Sequence, residues 1–147
     1  MRISTKGRYG TRVLLDLALQ GGKGPVLLKE IAKRQQIPLL YLEHLIAPLK
    51  VAGLVRSTRG ARGGIWLAKP PREIRLSEII QLLEGSLAPV VCVDDPHFCP
   101  RAEFCAAHDI WGELKEAIIG AIRSVTLEDL AERQRSKEPM VNMTYHI

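Results

Sequence analysis

The chain has 147 residues, is 46% hydrophobic and 25% charged, and carries a formal net charge of +5, so it is long enough for one domain, or one small domain plus an appended element, around a real core. No apolar run approaches the ~18 residues that cross a bilayer, and Asp16 interrupts the apolar N-terminal stretch with no small-residue cleavage site after it. Neither a membrane span nor a secretory signal is therefore expected, which places the chain in the cytoplasm. The charge is uneven: residues 1–75 hold 15 Lys and Arg against 4 Asp and Glu, a net of +11, whereas residues 76–147 hold 6 against 12, a net of −6. A basic half beside an acidic half predicts that the first meets a polyanion.

Ser4 or Thr5 can cap a first helix over about 6–20, closed by Gly21 and Gly22. Tyr9, Val13, Leu14, Leu17 and Gln20 give it one buried stripe. A second helix is expected over 28–35, with Leu28, Ile31 and Ala32 inward. After a turn at Gln36 and Ile37, Pro38 opens a third helix carrying Leu39, Leu42, Leu45, Ile46 and Leu49 at helical spacing. Two helices joined by a tight turn predict a helix-turn-helix. Pro48 inside the third predicts a kink, or an end near Ala47 followed by a restart.

Residues 54–59 alternate like a strand, and 64–68 supply its partner. The tip between them is glycine-rich and flanked by Arg59 and Arg62. A hairpin directly after a helix-turn-helix reads as a wing, whose arginines suit phosphates or a narrow minor groove. The expected fold is thus mainly α with a small β-hairpin: a winged helix-turn-helix over 1–76, then an appended element over 77–147. Ile74–Leu76 reads as a short strand closing the former; in the latter, 77–84 reads as a helix stopped by Gly85, and 87–96 as extended or irregular. A long helix follows over 102–125, with Trp111, Leu114, Ile118, Ala121, Ile122 and Val125 on one face. That face exceeds what a small wing domain covers, so a homodimer is expected. Thr126 and Asp129 resemble a capping box for a short helix to about Arg135, and the last twelve residues read as a tail.

All three cysteines fall within one loop, as Cys92, Cys99 and Cys105, and His108 follows the last at helical spacing. Thiolate and imidazole are the ligands that zinc and iron select, and these spacings suffice for zinc or an iron–sulfur cluster. They do not match the paired Cys-x-x-Cys pattern of structural zinc, and His97, Asp94 and Asp95 compete for the fourth place. An odd cysteine count in an unexported chain fits metal or redox chemistry better than a disulfide framework. Nothing beside a conceivable Cys–His pair reads as an oxyanion hole or a substrate pocket, so no enzyme activity and no small-molecule substrate are expected.

From Met1–Tyr9 through Thr126–Leu130 the chain resembles the bacterial iron–sulfur cluster regulators and their winged-helix relatives. The most telling pieces are Tyr41-Leu-Glu-His-Leu45, Gly53-Leu-Val55, Arg59-Gly-Ala-Arg-Gly-Gly64 and Cys105-Ala-Ala-His108. The resemblance implies a homodimer with two winged helices and a long dimerisation helix, binding double-stranded DNA to regulate transcription. It also implies a 2Fe–2S cluster held by Cys92, Cys99, Cys105 and His108, in a loop over about 86–105. Tyr41, Glu43 and His44 would face the major groove, Arg59 the minor groove, and Lys6, Lys29, Lys50 and Arg62 the phosphates. In chemical terms Glu43 accepts from a cytosine amino group, and a carboxylate near phosphates also rejects sites lacking that donor.

The chain departs from its relatives in three places. The gap from Cys92 to Cys99 is one residue longer, His44 replaces an amide, and Gln36 stands where a turn glycine is usual. A nitric-oxide-sensing branch carries a 4Fe–4S cluster and often draws its fourth ligand from an acid near the N-terminus. This chain has Arg8 in that region and His108 after the last cysteine, which favours 2Fe–2S. A reading from another class is a cytosolic thiol or metal-binding redox protein with an incidental basic half, and a third keeps the regulator but replaces the cluster with zinc or a disulfide switch.

Overall fold

The computed structural model describes the backbone of residues 2–145 and the side chains of residues 2–138. Helix α1 (Thr5–Leu19) starts at Ser4, whose side chain accepts from the Gly7 amide, and buries Val13, Leu14 and Leu17 as the periodicity requires. Tyr9 and Gln20 sit only half-buried at its margins. Helix α2 (Leu28–Gln35) follows, then α3 (Leu39–Val51), which buries Leu42, Leu45, Ile46 and Leu49. The turn between them passes through Gln36 at φ 53° and ψ 47°, a left-handed conformation in which a side chain carries strain that glycine would not.

Helix α3 does not stop at Ala47: it continues through Pro48 to Val51. Proline removes the bond to the carbonyl four residues back, which belongs to exposed His44. Water can satisfy an acceptor there, which makes the interruption tolerable.

Strands β1 (Val55–Thr58) and β2 (Gly64–Leu67) form the antiparallel hairpin, with Val55 opposite Leu67 and Thr58 opposite Gly64. Val26, before α2, pairs with Ile65 through two backbone bonds of 2.8 and 2.9 Å. The hairpin is thereby fastened to the start of the helix-turn-helix.

Helix α4 (Leu76–Glu84) packs along α1 and ends at Gly85. The expected short strand over Ile74–Leu76 is reduced to one bridge between Arg75 and Thr126, with Leu76 donating to Val125 and Leu127 to Ile74. Residues 87–96 are not extended throughout: helix α5 (Val91–Asp94) and a 3₁₀ turn (Pro96–Phe98) occupy the second part. Valines favour strands, but here no neighbouring strand is offered. Instead Asp94 binds Lys115, while Asp95 caps the turn by accepting from the His97 amide.

The long helix is shorter than expected. Residues Ala102–Phe104 form a separate 3₁₀ turn, Cys105 is extended, and α6 runs from Ala106 to Arg123. One side of α6 joins α4 through Ile80, Leu87 and Ile119, with Ile118 and Ile122 beside them. Ile110, Trp111 and Leu114 remain exposed on its first half.

The capping box forms as expected, with Thr126 N donating to Asp129 and the Asp129 amide donating to Thr126 Oγ1. The Thr126 amide first, and the Thr126 hydroxyl after it, hold the Asp129 carboxyl below the usual range. Helix α7, however, runs over Leu127–Tyr145 rather than giving way to a tail. Residues 146–147 of the expected tail lie outside the described residues. Leu127 and Ala131 are fully buried in the same cluster as Leu14, Ile31, Leu42, Leu49, Ile74 and Ile79. One core therefore joins α1–α3 to α4 and α7. No helix among the described residues is long and apolar enough to cross a membrane.

Candidate nucleic-acid interface and metal centre

The hairpin and the two helices of the turn motif enclose an open groove of about 660 Å³. Lys29 comes from α2, Glu43 and Lys50 from α3, and Thr58, Arg59 and Gly60 from the hairpin. None of the three cations forms an ion pair among the described residues, so their charge is free to meet a polyanion. Glu43 is the one carboxylate of the lining, set among cations.

Arg62 is exposed beside the groove, at the hairpin tip. His44 is exposed on α3, one residue beyond Glu43. Lys6 is exposed in the first turn of α1 and does not line the groove. Tyr41 is placed differently: it is half-buried against the core, edge-on to Tyr9 at 5.5 Å, and Arg12 lies 5.4 Å over the Tyr9 ring. Such aromatic pairing supports the helix from behind.

A second polar cluster fixes how α2 meets α1. Asp16 is buried, and its carboxylate accepts from Arg34 Nε at 3.0 Å, Arg34 Nη2 at 2.8 Å and Gln35 Nε2 at 2.9 Å. Arg12 donates to Gln35 from the other side. The Asp16 carboxylate holds the Arg34 guanidinium above its ordinary pKa.

In the cysteine loop, Cys92 Sγ and His108 Nδ1 lie 3.4 Å apart. Tetrahedral ligation with metal–sulfur and metal–nitrogen bonds of about 2.3 and 2.0 Å puts two such donors roughly 3.5 Å apart, so this pair has the spacing of co-ligands. Cys99 and Cys105 are partly exposed at the ends of the two 3₁₀ turns, and all three thiols are free. Among the described residues no group of three or more His, Cys, Asp or Glu side chains is gathered to hold a metal. The donor set fits iron or zinc in its chemistry, and the fold brings together two of its four members.

Two of the three rival ligands are occupied elsewhere. Asp94 accepts from Lys115 Nζ at 2.7 Å and from Ser86, bonds that hold its carboxyl below the usual range, with the Lys115 bond the larger cause. Asp95 is used by the His97 amide, and His97 itself is exposed. The Lys115 tether, joining the loop to α6 across 21 residues, carried no sequence signal.

A helix-turn-helix, a wing pinned beside it and a cation-lined groove between them define a winged-helix DNA-binding regulator of transcription. The comparisons agree. Residues 3–133 match the Rrf2 family, described as an iron-dependent transcriptional regulator. The chain is 43% identical over 130 residues to Protein rrf2 of Nitratidesulfovibrio vulgaris, covering 88% of this chain and 87% of that one. Among solved structures it is similar to CymR, the global cysteine regulator of B. subtilis, at 41% identity and TM-score 0.76, covering 90% and 98% of the two chains. IscR of T. potens matches at 42% identity and TM-score 0.75, covering 91% and 88%. The chain belongs to the Rrf2 family of DNA-binding transcription regulators, which are not enzymes.

Proposed function

We propose that the protein is a homodimeric transcription regulator whose DNA binding responds to a 2Fe–2S cluster held by Cys92, Cys99, Cys105 and His108. The observation that carries this reading is the Cys92–His108 contact, which joins the cysteine loop to the first turn of α6 at ligand spacing. Cys99 and Cys105 complete the donor set. A bound cluster supplies a redox-active, labile group, and histidine ligation raises its potential and makes its hold sensitive to protonation. The chain's own part is to position the loop: Lys115 and Ser86 tether it through Asp94, and α6 carries any rearrangement to α4. The exposed Ile110, Trp111 and Leu114 supply the apolar face for a second subunit.

On DNA, α3 enters the major groove with Glu43 and His44 toward base edges. Arg59 reaches the minor groove, and Lys6, Lys29, Lys50 and Arg62 settle on phosphates. Tyr41 holds α3 in place through Tyr9.

The test of the sensor is absorption, paramagnetic resonance and iron and sulfide analysis on protein purified without oxygen. Two irons and two sulfides per chain are expected, lost in Cys92→Ala and perturbed in His108→Ala. Four of each point to the gas-sensing branch, and zinc or a disulfide alone overturns the cluster while leaving the DNA interface intact. Hydrogen exchange is expected to show stronger protection of residues 92–105 in loaded than in stripped protein.

For the interface, Arg59→Ala is expected to weaken duplex binding and reduce the logarithmic salt slope by about 1, the counterion release of one cation leaving the groove. Glu43→Ala is expected to relax discrimination among sites at little cost in affinity for the best one. An unchanged salt slope, or an unchanged ranking of sites, removes the corresponding contact.

A further inference from the structure

Helix α3 divides its residues cleanly. Leu42, Leu45, Ile46 and Leu49 are buried, whereas Leu40, Glu43, His44 and Ala47 are exposed. Leu40 is 68% exposed, so the core of the folded chain makes little use of it. A lone exposed leucine is ordinary. This one stands three and four residues before Glu43 and His44, which puts all three on one face of the helix. It also lies in the first turn of α3, the end that a recognition helix turns to base edges. The adjoining groove has its own apolar rim, because Leu39 lines it and Leu27 lines it while 42% exposed.

We propose that Leu40 reads the 5-methyl group of a pyrimidine in the major groove, beside the base edge that Glu43 reads. The inference rests on α3 entering that groove. In the major groove the chemical mark of thymine, besides its O4 acceptor, is its 5-methyl group, and side chains recognise it by apolar contact. Cytosine methylated at carbon 5 presents the same group at the same place, next to the amino group that a carboxylate accepts from. Leucine at position 40 offers no hydrogen bond, so it discriminates by burying that methyl and by leaving polar edges unsatisfied.

The test begins with the full-length protein and the tightest duplex it selects from a random library. That duplex is resynthesised with deoxyuridine in place of each thymidine, one at a time, and with 5-methylcytosine in place of each cytosine. Removing one methyl from the contacted base is expected to weaken wild-type binding about fourfold, the value of one buried methyl group. Leu40→Ala, whose melting temperature is expected to match wild type, loses that sensitivity. If the contacted base is cytosine, methylating it strengthens wild-type binding by a similar factor and leaves Leu40→Ala unmoved. If no methyl addition or removal separates wild type from Leu40→Ala, the proposal is overturned. Glu43→Ala, measured beside it, distinguishes the two possible failures. A changed site ranking in Glu43→Ala without any methyl effect removes Leu40 alone, whereas no change in either variant removes α3 from the major groove.

Discussion

Gly64→Ala is expected to destabilise the protein by about 3 kcal/mol, combining backbone strain with an overpacked contact. Gly64 sits at φ +152°, and a Cβ there meets Val26 O at 2.4 Å, Val26 C at 2.6 Å and Val26 N at 2.9 Å. These are backbone atoms, so no rotamer change relieves them. The chain must instead separate β2 from Val26, breaking the bonds of 2.8 and 2.9 Å that fasten the wing to the helix-turn-helix. Duplex affinity is expected to fall with stability, because Arg59 then no longer faces Lys29 and Lys50 across the groove. Gly60→Ala is the control: its φ is +106°, but nothing lies within 4 Å of an added Cβ. Strain alone is expected there, about 1–2 kcal/mol. Urea unfolding of the two variants reads the difference, and equal midpoints would show that Val26 does not hold the wing.

Arg34→Met is expected to cost about 3 kcal/mol, and more than Asp16→Ala, although the two residues form one pair. The Asp16 side chain is 3% exposed and that of Arg34 is 38% exposed. Removing the arginine leaves a buried carboxylate with Gln35 as its remaining side-chain donor. Removing the aspartate leaves a guanidinium that can turn to water, at a cost of about 1–2 kcal/mol from lost hydrogen bonds and a small cavity. The asymmetry follows from burial, since breaking a pair is costly only for the partner that cannot be rehydrated. Denaturant unfolding of both single variants checks the order, and a larger loss for Asp16→Ala would place the uncompensated charge on Arg34 instead.

The helix-turn-helix and the wing were legible because their signals are local. Leu42, Leu45, Ile46 and Leu49 repeat at helical spacing, and all are buried. Thr126 and Asp129 stand three apart, and both capping bonds form. The misread stretches share the opposite cause. Val91–Asp94 reads as extended by composition but becomes α5, where a lysine 21 residues away holds Asp94. The helix expected from Ala102 is cut at Cys105, where the backbone turns extended. The stretch after Arg135 reads as a tail by composition, yet it continues the helix whose start is buried against α1.

Local signals carry the order of the main helices and the hairpin, the basic first half and the gathering of three cysteines near His108. Periodicity, turn residues and charge counts act over a few positions, and each survives without knowledge of the fold. Which of those groups meet is set by the packing of the folded chain. It paired Cys92 with His108 while leaving Cys99 and Cys105 apart, gave Asp94 to Lys115, turned Tyr41 onto Tyr9, and left Leu40 exposed beside Glu43. Each of these depends on how helices dock through a shared core, and docking joins residues whose separation along the chain carries no periodic mark.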